Sequence, residues 1–464
     1  LKLPRRLTTA IMTKLRLVES ASVSGRASEA VDEAAMRNAR ETLAAVGDEG
    51  LAAVERLAVS FGEVGEGESV VVEKAALEAA YEGLSAEDRA CLDRTAARIE
   101  AFAAAQRGTL SDLTTRVPGG EAGHSVAAVD VAGCYAPGGR YPLPSSVLMT
   151  AVTARAAGVA TVVVASPKPS AVTLAAAHAA GADYFLKIGG AHAIVAMALG
   201  AVPGIPRADV ICGPGNKWVT AAKAACSTSA CVGIDMLAGP SEVLVLCDDT
   251  ADPDVVAADL LAQAEHDVIA RPILVAFPSS TDGGGGGVGP TTAFVAAVND
   301  SLERQLQDLP TKAVADPAVV GGFAVICADV DDAVRVSDAV APEHLEVVCA
   351  DAKAVAAKCK HYGGLFVGHL AAEVLGDYGI GPNHTLPTGG TSIYRGGLAV
   401  FDFLRIRTWI RLDDQAAARP AVEDAVTLAR IEGLEGHARA AECRLGDNNG
   451  GAAAKRLKTA AASV

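Results

Sequence analysis

The chain is 464 residues long, half of them hydrophobic, and carries a formal charge of −15. That length exceeds one ordinary core and predicts two or more domains, while the charge excludes a general nucleic-acid or anionic-membrane surface. No apolar run reaches the length of a membrane span, and ten scattered cysteines without a CxxC pair exclude a zinc finger and a disulfide framework. Aromatic residues are only 4%, so Ala, Val, Leu and Ile must fill the cores.

Leu1 to Val18 carries Lys2, Arg5, Arg6, Lys14 and Arg16 with no acidic residue, and a Ser-rich stretch follows. This suits part of an organelle transit peptide, and equally a basic helical arm; plastid stroma is the expected compartment, with cytoplasm as the alternative. Glu29 to Leu57 and Ala75 to Arg107 have helical periodicity. From Ser125 short β-branched runs alternate with Ala-rich helices. Val126 to Ala132, Ala160 to Ala165, Tyr184 to Ile188, Ala208 to Cys212, Glu242 to Leu246, Pro272 to Phe277 and Phe323 to Cys327 read as strands of βαβ units. Asp282 to Pro290, with five consecutive glycines, predicts a flexible insertion. Beyond Leu412 the chain turns helical again, and residues 446–464 form a basic, Ala-rich tail expected to be disordered.

Three glycine turns follow strands in this region: Tyr135-Ala-Pro-Gly-Gly139, Gly189-Gly190-Ala-His192 and Gly213-Pro-Gly-Asn216. Such turns let backbone amides approach a phosphate at a helix N-terminus, although none is a GxGxxG, and a tight turn alone also explains each. Gln263 and His266 stand three apart at the end of a predicted helix, so they share a face and could grip one ion; capping explains a lone histidine there as well. Ala341-Pro-Glu343-His344-Leu-Glu346 sets an acid beside an imidazole at a predicted helix-to-strand turn, because Pro342 disfavours helix at Ala341. Such a pair can serve as two separate proton handlers, or be merely a solvated turn. Gly376-Asp377-Tyr378 and Gly381-Pro-Asn-His384-Thr-Leu-Pro-Thr388 concentrate polar side chains in a loop bracketed by Gly and Pro. Glu432-Gly-Leu-Glu-Gly-His437 lies in the C-terminal helical region.

Together with Ala238-Gly-Pro-Ser241-Glu242-Val-Leu-Val245, these segments resemble, in order and over about Asp32 to Arg444, the histidinol dehydrogenase family. The resemblance implies two incomplete Rossmann-like domains, one inserted in the other, with helical segments at both ends that build a homodimer. Boundaries are expected at residues 1–27 for the arm, 28–134 and 242–398 for the outer domain, 135–241 for the inserted one and 399–445 for the dimerisation segment. It further implies one zinc per subunit held by Gln263, His266, Asp377 and His437, the last from a partner chain. Glu343 and His344 fall on the catalytic pair. Ser145, Ser241, His384 and Glu432, together with Gln263, His266, Glu343, Asp377 and His437, fall on substrate contacts, and Tyr135, His192 and Asn216 on the NAD side.

The implied reaction oxidises L-histidinol to L-histidine through histidinal with two NAD. The alternative is a zinc-dependent amino-alcohol or polyol dehydrogenase that stops at the aldehyde. Three positions depart from the family pattern: His192 replaces a common Gln, Thr391-Ser-Ile393-Tyr replaces Thr-Ala-Arg, and Gly368-His-Leu-Ala-Ala lacks a proline. None falls on an implied metal or catalytic position.

Overall fold

The computed structural model describes residues 14–24, 32–138, 141–237, 239–279 and 288–445. The glycine run, the basic tail and the first thirteen residues therefore lie outside the described residues. The chain divides into two compact units, one of residues 1–107 and 129–403, the other of 108–128 and 404–464.

The first unit contains two six-stranded sheets. One runs Arg16–Val18, Phe323–Ile326, Arg271–Phe277, Glu242–Asp248, His344–Val348, Gly364–Val367, with every pair parallel. The other runs Val71–Val72, Tyr184–Leu186, Thr161–Ala165, Val131–Tyr135, Val210–Cys212, Gly233–Ile234, parallel except for its first member. Leaving out the short edge strand that opens each, both read 3-2-1-4-5, the Rossmann order without its sixth strand. The expected two incomplete Rossmann-like domains are thus present.

Strand composition explains the layering. Glu242–Asp248 is buried at every position, as a central parallel strand covered on both faces must be. Val243, Val245 and Cys247 pack into the core on one face, Leu244 and Leu246 into the core on the other. Helices cover both faces, and some begin on side-chain caps: Asp252 accepts from Asp254 N at 2.8 Å ahead of Pro253–Ala264, with proline in its first turn.

Several expected boundaries shift. Val131–Tyr135, split by the expected junction at 134/135, is the central strand of the second sheet, paired on both sides. Val71–Val72 also joins that sheet, so the segment 28–134 gives the outer sheet no strand. Arg16–Val18, read as part of an arm or leader, is instead an edge strand of the first sheet, anchored by buried Leu15. The second unit opens with a strand rather than a helix. Leu404–Leu412 pairs antiparallel with Gly120–Ala128, which pairs with Leu113–Val117, and the helices Gln415–Ile431 and Glu435–Glu442 follow.

Candidate active site

The helix Val330–Val340 ends where Pro342 requires, and Ala341 takes a left-handed conformation at φ 50°, ψ 61°. Buried Ala341 is held there by its N–H to Ser337 O at 2.8 Å and by Ser392 Oγ donating to its carbonyl at 2.8 Å. This turn aims Glu343 and His344 inward at the first residue of His344–Val348. Both side chains are buried, so the solvated-turn reading fails.

His344 Nδ1 lies 3.0 Å from Glu242 O, to which it donates, leaving Nε2 as the basic nitrogen. That Nε2 is buried without a hydrogen-bond partner and lies 3.6 Å from Asp377 Oδ1. The carboxylates of Glu343 and Glu373 stand 3.7 and 3.8 Å from Nδ1. Burial lowers the imidazole's affinity for a proton, but Glu343, Asp377 and Glu373 outweigh it and hold its pKa well above the usual histidine value. Burial pushes Glu343 up to about 8, against the attraction of His344 and a hydrogen bond from Glu242 N at 2.8 Å. Burial thus brings the Glu343 carboxyl into the range where it exchanges protons near neutrality, while the surrounding carboxylates favour the protonated form of His344.

Behind His344 lies a second group of acids. Glu373 N donates to Glu346 Oε1 at 2.6 Å, and Glu346 Oε2 and Glu373 Oε2 are buried without hydrogen-bond partners. Burial and neighbouring Asp259 raise Glu346 to about 8, and burial raises Asp259 to about 6, so at neutral pH Glu346 is largely protonated while Asp259 stays mostly ionised.

Gln263 is fully buried near the end of Pro253–Ala264, its Oε1 unpartnered and its Nε2 3.5 Å from His344 Nδ1. The helix stops at Ala264, so His266 does not share its face as the spacing suggested; it follows in a turn, with its N–H 3.2 Å from Gln263 O. His266 Nε2 lies 3.7 Å from Asp377 Oδ2. Two ligands each about 2.1 Å from a tetrahedral ion stand roughly 3.4 Å apart, so that spacing suits a shared cation. Asp377 is held below the usual carboxylate pKa despite burial by the imidazoles around it, His344 first and then His384 and His266. The orphaned Gln263 oxygen, a carboxylate kept ionised and an imidazole form a nitrogen and oxygen donor set that fits zinc. Among the described residues, no three His, Cys, Asp or Glu side chains gather as a metal cluster.

His384 Nδ1 donates to Asp377 O at 3.0 Å, and its Nε2 faces Ser146 Oγ at 3.4 Å. Burial lowers its pKa, which favours the neutral ring. Ser146, one residue beyond the expected Ser145, is thus the serine that reaches His384; Ser145 is partly buried in the first turn of Pro144–Ala157. Ser241 immediately precedes Glu242–Asp248, and its carbonyl accepts from Arg271 N at 2.9 Å. Glu432 and His437 are exposed in the second unit, as the C-cap of Gln415–Ile431 and within Glu435–Glu442.

The expected NAD residues collect at the carboxyl ends of the second sheet. Tyr135 ends its strand, and its hydroxyl accepts from Gly190 N at 3.1 Å; burial pushes the phenol up to about 12, so it stays protonated. A side chain on Gly213, at φ 122°, would strike Tyr135 O at 2.0 Å, so the two strand ends can approach only with glycine there. Asn216 caps Lys217–Ser229, accepting from Trp218 N and Val219 N at 3.0 and 3.2 Å. His192 is buried, stacked on Phe61 with ring centroids 5.4 Å apart, and its Nε2 lies 2.8 Å from Glu63 Oε2. Glu63 Oε1 also accepts from Gly189 N at 3.0 Å.

A sequence model of the histidinol dehydrogenase family matches residues 25–445. The chain belongs to the histidinol dehydrogenase family. The histidinol dehydrogenase of Ralstonia nicotianae is 41% identical over 425 residues, which cover 89% of this chain and 92% of that one. That of Cupriavidus pinatubonensis is 40% identical over 423 residues, 89% and 91% of the two chains. The crystal structure of histidinol dehydrogenase from Elizabethkingia anophelis superposes with a TM-score of 0.82 at 28% identity, covering 93% of this chain and 98% of that one.

Family membership explains the order of the motifs, but several residues packed around the site are not among the expected site residues. Glu242, Glu373, Ser146 and Glu63 touch expected site residues through their side chains or backbone, and Arg271 touches Ser241 through its backbone N–H. Glu242 closes the quoted Ala-Gly-Pro-Ser-Glu segment and could have been found there; Glu63 sits in no motif and could not.

Proposed function

We propose that this chain oxidises L-histidinol to L-histidine through histidinal, with two NAD consumed per turnover at one site. The observation that carries the reading is His344: a buried imidazole whose Nε2 is unpartnered and 3.6 Å from Asp377, with Glu343 beside it. Gln263, His266 and Asp377 are the residues that would hold zinc, joined by the partner subunit's His437 in a homodimer. Zinc held there would supply a Lewis acid that orients the substrate's imidazole and amine, and NAD held at the carboxyl ends of the second sheet would supply the hydride acceptor.

His344 takes the hydroxyl proton at Nε2, while its Nδ1–H stays anchored on Glu242 O. Glu343 then takes a proton from the water that hydrates the aldehyde, and His344, once it has released its first proton to solvent, acts as base again in the second oxidation. Burial keeps the aldehyde from escaping between the steps. Ser146, bonded to neutral His384, and Ser241 border the space left for substrate, with Glu432 closing it in the assembled dimer. The reading needs no thiolate, and Cys212 and Cys247, inside the strands of the two sheets, are buried with their thiol pKa values raised by that burial.

The test is NADH formation on added L-histidinol, before and after chelation, with Glu343→Gln and His344→Ala in parallel. Two NADH and histidine per substrate support the reading; one NADH with accumulated histidinal favours the dehydrogenase that stops at the aldehyde. Plastid targeting rests on the basic residues before Lys14, since Leu15 to Val18 is built into the first sheet. Fusion of residues 1–30 to a fluorescent reporter tests it.

A further inference from the structure

The first residues of three neighbouring strands form a row across the sheet: Arg271, Glu242 and, one step before His344, Glu343. Glu242 sits at its centre, 1% exposed. Its N–H donates to Glu343 Oε2 at 2.8 Å, and its carbonyl accepts from His344 Nδ1 at 3.0 Å. One residue's backbone therefore holds both proton handlers. Its side chain is tied in turn: Oε1 accepts from Arg271 Nη1 at 2.7 Å and Oε2 from Gly389 N at 3.3 Å.

We propose that Glu242, locked by Arg271 and the Gly389 amide, is the positioning residue that sets the orientation of both Glu343 and His344. The proposal rests on the assignment of those two as the catalytic pair. A carboxylate in this place has no contact assigned to substrate or metal; its work is to fix where its own peptide groups point. Freed of Arg271, a carboxylate buried this completely must move toward water or take up a proton. Either change relaxes the backbone that carries both hydrogen bonds. Misplacement of about 1 Å at such groups lowers turnover by up to ~100-fold while leaving substrate binding largely intact.

Arg271 is the better handle for a test, because its side chain is 42% exposed and its truncation opens no core cavity. Arg271→Ala, Arg271→Lys, Glu242→Gln and the Arg271→Ala/Glu242→Gln double variant are assayed as full-length, zinc-loaded protein, with thermal unfolding recorded for each. Expected for Arg271→Ala is a fall in kcat of about ten- to a hundredfold with KM for L-histidinol within about twofold, and recovery of most of that loss in Arg271→Lys. Glu242→Gln should lose a similar amount, with no further loss in the double variant, because both act through one clamp. The proposal is overturned if Arg271→Ala keeps the parent kcat, if Arg271→Lys is as impaired as Arg271→Ala, if KM rises in place of a fall in kcat, or if the two losses multiply. Glu343→Gln and His344→Ala serve as controls. If they retain activity, the catalytic assignment itself fails; if they abolish it while the Arg271 variants are unaffected, only the clamp is refuted.

Discussion

The two sheets of the first unit share one strand order yet use opposite ends. In the second sheet, Tyr135 and the Gly213 turn flank the crevice between strands Val131–Tyr135 and Val210–Cys212, at their carboxyl ends, where doubly wound folds hold their ligands. In the first sheet the equivalent crevice is sealed: Asp248 accepts from Thr250 N and Ala350 N, both at 3.0 Å. Its proposed chemistry lies at the amino ends instead, where Glu242, Arg271 and His344 begin their strands.

The polar bookkeeping of the two ends also differs. At the amino end of the first sheet, Gln263 Oε1, His344 Nε2 and Glu373 Oε2 are buried and unpartnered. At the carboxyl end of the second, the polar groups already satisfy one another. Lys223 Nζ donates to Gly213 O at 3.0 Å and pairs with Asp235, which accepts from Gly213 N at 2.8 Å; Glu63 takes both His192 and Gly189 N. Unmet capacity for hydrogen bonds is expensive to bury and marks where a ligand must complete the structure. A pre-satisfied rim instead offers shape. The first end should therefore respond to substitution in chemistry and metal content, the second in stability and dinucleotide affinity.

The sharpest break between the two ends comes from the catalytic pair. His344→Ala should lower kcat by roughly 10²–10⁴-fold, the range general-base loss spans, and Glu343→Gln should impair histidinal oxidation more than histidinol oxidation. Single-turnover NADH yields on each substrate check this. Equal impairment of both steps by Glu343→Gln would break the division of labour. Substitution of a metal donor comes next: His266→Ala should cost about ten- to a hundredfold in zinc affinity, read by zinc content after dialysis against graded chelator. Undiminished zinc content would remove His266 from the ligand set.

Stability should then separate the ends in the reverse direction. Asp235→Asn breaks a fully buried ion pair at the second sheet and should destabilise by about 3–5 kcal/mol, seen in denaturant unfolding. Glu343→Gln at the first should stabilise the metal-free protein. Burial raises its pKa from 4.5 to about 8, so between those values the folded state binds more protons than the unfolded one. Wild-type stability attributable to Glu343 is therefore lost as pH climbs through that window, up to a ceiling on the order of 4 kcal/mol. The gap in melting temperature between variant and wild type should widen from pH 5 to pH 8.5. A constant gap would mean the carboxylate is well accommodated.

Which parts of this arrangement were legible in the sequence follows from physical range. The βαβ alternation, the end of a helix before Pro342 and the polar density of 376–388 are local and were readable. Where Val131–Tyr135 belongs was not, because its neighbours Thr161–Ala165 and Val210–Cys212 are distant in the chain and equally apolar. The shared helix face expected for Gln263 and His266 is absent: the helix ends between them, and a turn presents His266 to Asp377. Glu63 was invisible, since a glutamate after a helix carries no signal until His192 and Gly189 fold onto it.

The smallest expected effect tests whether the second sheet holds the dinucleotide at all. His192 stands where a Gln is common in the family, and a Gln amide can still donate to Glu63, so the buried carboxylate keeps a partner. What Gln cannot reproduce is the near-parallel stack on Phe61, with planes 7° apart. Loss of such a stack costs about 0.5–1.5 kcal/mol, part of which falls on folding rather than binding. His192→Gln should therefore change KM for NAD by about two- to fivefold with kcat nearly constant. Glu63→Gln removes the charge that orients His192 and the Gly189 amide together, and should move KM for NAD further in the same direction. Initial rates at saturating L-histidinol measure both. If neither variant shifts KM for NAD, the dinucleotide does not depend on this turn, and the contrast between an end built for chemistry and an end built for the dinucleotide loses its second half.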